Sequence, residues 1–217
     1  MKNIWLGAVS LLLVGMTTYV VWKQSQEGYD LETLQLNQNI VERTFSNYHD
    51  QLSPLAEEYD IPESYLLALA ALECSGRKIV PHRFEPHVYG KLLQVKQGEL
   101  DHLEMATSST LKSVEQDELR ALASSWGPFQ IMGYKCFELE VSISVLKGPN
   151  NAEHAVRWIS ENYGKYLQRK RFKDAFHYHN TGRKYPLWGP PRTYHTSYVP
   201  QGLKYMIEFR QFLADKS

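Results

Sequence analysis

The chain has 217 residues, enough for one ordinary domain with an appendage and too few for two large ones. Hydrophobic residues make up 43% and charged residues 22%, a globular balance that excludes wholesale disorder. The 24 Lys and Arg are matched by 24 Asp and Glu, so the basic excess of a nucleic-acid binder is missing and no nucleic-acid partner is expected.

In chain order, Lys2 precedes an uncharged apolar run from Ile4 to Trp22. About 19 residues at roughly 1.5 Å each match the hydrocarbon thickness of a bilayer. Trp5, Tyr19 and Trp22 stand towards its ends, where amphipathic rings favour the interface. Residues 1–23 therefore read as one transmembrane helix. A cleaved signal segment is the alternative, but the run ends in Tyr-Val-Val-Trp-Lys rather than a small-x-small site. Lys2 and the amino terminus favour an N-terminus in the cytoplasm, with the following domain on the other side, while Lys23 pulls the other way.

Residues 24–59 read as a polar linker and an amphipathic segment. Leu34, Leu36, Ile40, Val41 and Phe45 recur at helical spacing, then Leu52, Leu55 and Ala56, with Pro54 placed to start a second helix. The main domain spans 60–217. Asp60-Ile61-Pro62-Glu63 is a helix start, and Tyr65 to Leu72 is apolar on nearly every face, which places that helix in the middle of a core. Gly76 is its stop. Residues 77–89 read as loop, and Leu92 to Leu122 as charged helical pieces forming a solvated face or insertion. Helices are expected over Asn151 to Tyr166, from Lys173 to Tyr178, and from Val199 to Asp215, the last with Tyr205, Met206, Phe209 and Phe212 inward. Lys184 to Tyr198, rich in Pro and aromatics, reads as ordered loop. The domain is mainly α, with at most a small β-hairpin.

Leu66 to Leu72 leads straight into Glu73. A carboxyl in the last turn of so apolar a helix faces both burial and the negative end of the helix dipole, and both disfavour its charge. A carboxylic acid kept protonated near neutral pH can protonate a glycosidic oxygen. Taken alone, a C-terminal Glu paired with Arg77 or facing water explains Glu73 better. Cys74 and Cys136 either form one disulfide, in an oxidising compartment, or are two buried thiols. No HExxH, Walker A, GxSxG or dinucleotide signature is present.

Three stretches carry a family resemblance. Glu73-Cys74-Ser75-Gly76, Arg83-Phe84-Glu85-Pro86-His87 and the block Ser125-Trp126-Gly127-Pro128-Phe129-Gln130-Ile131-Met132-Gly133 resemble the lysozyme-like superfamily in order and rough spacing. The similarity is to its goose-type lysozyme and soluble lytic transglycosylase branch, and within it to phage-type N-acetylmuramidases, over about Asp60 to Tyr198. The resemblance implies cleavage of peptidoglycan glycan strands at the MurNAc–GlcNAc β-1,4 bond, with Glu73 as general acid. Glu85 is the candidate second carboxylate, able to activate water if it faces Glu73; otherwise it is a loop ion pair with Arg83 or a histidine. In the second case the substrate's own hydroxyl attacks and leaves an anhydro sugar, as in the transglycosylase relatives. Ser125, Gly127, Gln130 and Met132 are the implied substrate-binding residues of the cleft floor. His177-Tyr178-His179-Asn180-Thr181-Gly182 resembles the late Ala-Tyr-Asn-x-Gly motif, with His179 in the Tyr position, so Tyr178 and Asn180 complete the binding set.

His177, His179 and Asp174 do not complete a recognised ligand set, so neither metal nor cofactor is expected. The N-terminal run and the peptidoglycan substrate together imply a location, the bacterial inner membrane with the domain in the periplasm or cell-wall space. Rival readings are a non-catalytic peptidoglycan-binding protein and a component of an envelope or secretion complex with partner proteins. A phage lysis enzyme fits the same features.

Overall fold

A computed structural model describes residues 39–216. Helix α1 (Ile40–Glu58) presents Val41, Tyr48, Leu52 and Ala56 as one buried stripe. Pro54 lies inside α1 instead of opening a second helix. The missing N–H removes one intrahelical bond, and the continuous stripe on both sides of Pro54 holds the helix together across it. Helix α2 (Glu63–Cys74) is buried from Ser64 to Ala71. It runs between α1 and the last helix, α9 (Tyr198–Lys216). An all-round apolar helix has no face for water and needs cover on every side.

Between these lie α3 (Pro86–Gln97), α4 (Ser108–Leu111), α5 (Gln116–Leu122), α6 (Ile143–Lys147), α7 (Asn151–Gln168) and α8 (Phe172–Thr181). Helices α7 and α8 pack on each other, and α8 packs on α9. Gly202 allows that last approach, since a Cβ there would overlap the Phe176 ring.

Strand content exceeds the expected hairpin. Strands β1 (Arg83–Phe84), β4 (Ser124–Trp126) and β5 (Ile131–Met132) form an antiparallel sheet in the order β1-β4-β5. Arg83 pairs with Ser125, and Ser125 with Met132. A separate hairpin joins β2 (His102–Leu103) to β3 (Ala106–Thr107). Strands of two or three residues are too short to show a period of two, so alternation could not reveal them.

The membrane location is corrected. Among the described residues, no helix is long and apolar enough to cross a membrane. The Ile4 to Trp22 run on which the single-pass expectation rested, and the linker after it, lie outside the described residues. Cys74 and Cys136 are both buried free thiols; Cys74 Sγ lies 3.1 Å from the Ala70 carbonyl.

Candidate active site

Glu73 occupies the last turn of α2, as its sequence position requires. The turn ends abruptly because Ser75 (φ 55°) and Gly76 (φ 65°) are both left-handed. The carbonyls beyond the helix end are taken up by α1: Arg43 Nε donates to Ser75 O (2.8 Å), Asn47 Nδ2 to Gly76 O (2.8 Å), and the Tyr48 hydroxyl to Arg77 O. Helix α1 thus holds the end of the helix that carries Glu73.

Two further helix ends converge on the carboxyl. Tyr198, the first residue of α9, donates its hydroxyl to Glu73 Oε1. His179, near the end of α8, brings Nε2 to 3.8 Å from the same oxygen. That distance is beyond a hydrogen bond. His179 Nε2 donates instead to the Phe129 carbonyl (2.9 Å), and Nδ1 accepts from the Tyr163 hydroxyl (2.7 Å). With its side chain 4% exposed, burial pushes His179 down to about 4, against a smaller opposing effect of the Phe129 hydrogen bond. The approach of His179 to Glu73 is therefore that of a neutral imidazole, with no ion pair.

The Glu73 side chain is 16% exposed. Burial raises its pKa from 4.5 to about 7, although the Tyr198 hydrogen bond and the Arg83 charge both pull it down. Because Tyr198 occupies Oε1, the acid proton is left to Oε2. This constellation can deliver one proton to a leaving oxygen near neutral pH.

The other sequence-derived residues divide into three groups. Glu85 precedes α3, with Arg83 Nε 2.9 Å from Oε1 and His87 Nδ1 3.6 Å from Oε2. Ser125 and Gln130 bind each other: Ser125 Oγ donates to Gln130 Oε1 (2.7 Å), and Gln130 Nε2 donates to Gly127 O (3.0 Å). Both ends of the Gln130 amide thus serve the turn between β4 and β5. Gly127 (φ 70°) leaves room for Asn151, whose side-chain oxygen takes the place a Cβ would need. Met132, Tyr178 and Asn180 line a cleft of about 780 Å³, which His179 also borders.

That cleft contains residues the sequence did not point to. Glu138 accepts from Trp158 Nε1 (2.9 Å) and Asn162 Nδ2 (2.8 Å), and lies 3.3 Å from Lys135. Burial would raise Glu138, but those two hydrogen bonds and the Lys135 charge outweigh it and hold the carboxyl below its usual value. Lys135 also bonds Glu104, from the turn between β2 and β3. Among the described residues no group of three His, Cys, Asp or Glu is placed to share a metal ion. His177 binds the Arg183 carbonyl (2.7 Å) and the Arg192 N–H (3.1 Å), and so pins the loop after α8.

A solved structure shares this architecture. The crystal structure of the Burkholderia AP3 phage endolysin aligns with a TM-score of 0.51 and 15% identity, covering 75% of this chain and 70% of that one. At that identity the likeness is one of fold. No protein-family model matches the chain, and no curated protein matches it. The mainly helical fold with small antiparallel sheets, similar to that endolysin's, agrees with the mainly α class expected from the sequence.

Tyr198 is the principal site residue that sequence reading missed. In the sequence it stands at the end of the Lys184 to Tyr198 loop, one residue before the expected helix, where no periodicity marks it. Tyr178 lines the cleft; the phenol on Glu73 belongs to Tyr198. Arg83 stood within a quoted motif, but its reach to Glu73 depends on the β1–β4 pairing.

Proposed function

We propose that this protein cleaves the glycan strands of peptidoglycan at the MurNAc–GlcNAc β-1,4 bond, with Glu73 as general acid. The observation that carries this reading is the Glu73 carboxyl, raised to about 7 and held through Oε1 by Tyr198 beside the neutral His179. A phenol on one oxygen orients the acid and leaves the other to protonate the glycosidic oxygen as the bond breaks. The phage endolysin fold and the three motifs support the same substrate.

The nucleophile is either water or a hydroxyl of the substrate. Arg83 and His87 attend the two oxygens of Glu85, so Glu85 activates water only if substrate loosens that pairing. The deciding experiment is incubation of the protein with purified peptidoglycan, and mass measurement of the released muropeptides beside a Glu73→Gln control. Reducing-end products assign a hydrolase and give Glu85 the water. Anhydro products, one water lighter, assign a lytic transglycosylase. Absence of product from the wild type, or equal product from the control, overturns the acid role of Glu73 and leaves a glycan-binding protein.

A further inference from the structure

Arg83 stands on β1, and Tyr194 lies in the loop between α8 and α9, yet the guanidinium carbon is 5.5 Å from the Tyr194 ring centroid. The loop is fixed at this point. Tyr194 N–H donates to Asn180 Oδ1 (3.2 Å), one residue after the His179 that approaches Glu73. His195 meets the Tyr194 ring edge-on at 4.6 Å. The ring is held in this way but not covered: Tyr194 is 76% exposed. The Arg83 side chain is 61% exposed, and its ion pair to Glu85 runs through Nε. Among the described residues no hydrogen bond is made to its two terminal nitrogens. An aromatic face and a set of unused N–H donors therefore stand together near the Glu73 acid, on two segments far apart in the chain.

We propose that Arg83 and Tyr194 form a sugar-gripping lip beside Glu73, the Tyr194 ring stacking on a pyranose face while the terminal guanidinium nitrogens of Arg83 donate to an acyl or carboxylate oxygen of the same glycan strand. This rests on the glycan-cleaving reading above. The chemistry fits an N-acylated sugar: the ring takes its C–H face, and the planar guanidinium fork takes its oxygen. A ring already anchored through its backbone and neighbours loses little freedom on binding, so more of the contact energy remains as affinity. Arg83 also bears on the acid, because its charge lowers the Glu73 pKa.

The test is calorimetric titration of the full-length Glu73→Gln protein with a soluble, peptide-free GlcNAc–MurNAc oligomer. Tyr194→Ala and Arg83→Met are each expected to weaken binding about tenfold, and Tyr194→Phe to stay within about twofold. In the active protein, Tyr194→Ala raises KM and leaves kcat nearly unchanged. Arg83→Met raises KM and also moves the alkaline limb of the pH profile upward, a shift that a purely structural arginine would not give. Tyr194 is exposed, so its Ala variant tests the lip without disturbing the core. Unchanged affinity in both variants overturns the proposal. Tighter binding or a lower KM for Tyr194→Ala overturns it as well, since the pair is then a strap across the site. If Glu73→Gln retains full activity while Tyr194→Ala still loses affinity, the lip stands and the acid assignment falls. A Glu73→Gln parent that does not bind the oligomer overturns both.

Discussion

Glu73 is costly to bury, and its proposed function and its cost have one origin. An acid whose folded-state pKa lies near 7 against 4.5 binds its proton more tightly when folded. Its effect on stability is absent below about pH 4.5 and grows unfavourable as pH rises towards 7, where the unfolded chain ionises more readily. Glu73→Gln removes that cost. Thermal unfolding should show the variant more stable than wild type at pH 8, by up to about 3 kcal/mol, and nearly equal at pH 4. The same substitution should lower peptidoglycan cleavage by a factor of about 10² to 10⁴, read from muropeptide release. Wild-type kcat/KM should fall above about pH 7 as the acid loses its proton. Tyr198 tunes this limb, because its hydrogen bond lowers the Glu73 pKa. Tyr198→Phe should therefore move the alkaline limb to higher pH and reduce the plateau rate as the acid loses its orientation. An unmoved limb would show that the phenol does not set the acid.

The end of α2 is the element on which the site depends. Ser75 and Gly76 turn the chain away within two residues, and α1 accepts the turn through Arg43, Asn47 and Tyr48. A Cβ on Gly76 would fall onto Thr44 Oγ1 and the Thr44 backbone, at a φ that already favours glycine. Gly76→Ala should destabilise the protein by roughly 1–3 kcal/mol in chemical denaturation. It should also lower kcat, since Glu73 lies three residues before the displaced turn. The β4–β5 turn behaves alike. Gly127, Gln130 and Ser125 form a connected set of hydrogen bonds across the turn, which makes them the scaffold that places Met132 along the cleft.

At the scale of the whole molecule, α1 belongs to the same compact unit as the site, which begins at Ile40. Helix α2 is enclosed from Ser64 to Ala71, and α1 supplies one wall of that enclosure. A chain beginning at residue 60 should fail to fold, because Leu66, Leu67 and Leu69 would then share a helix with an uncovered face. Far-UV circular dichroism and a thermal melt check this: a cooperative transition near that of the full chain would show α1 to be dispensable.

The sequence by itself determined the all-round burial of α2, the acid at its end, and the stop at Gly76, because those follow from local composition and glycine. It also carried the three motifs on which the family resemblance rests. Burial alone does not assign chemistry, and there the tertiary structure decided. Tyr198 and His179 lie far from Glu73 in the chain, Arg83 only ten residues on, and all three reach it only through packing of α8 and α9 and pairing of β1 with β4. The two- and three-residue strands carry no readable period, so their sheet emerged only from long-range hydrogen bonds. Whether Gln130 offers its amide to a ligand or to Ser125 and Gly127 is likewise a question of distances, which no residue type encodes. The raised pKa of Glu73 comes from both levels: the apolar helix makes the site dry, and the fold then selects which partners reach the carboxyl.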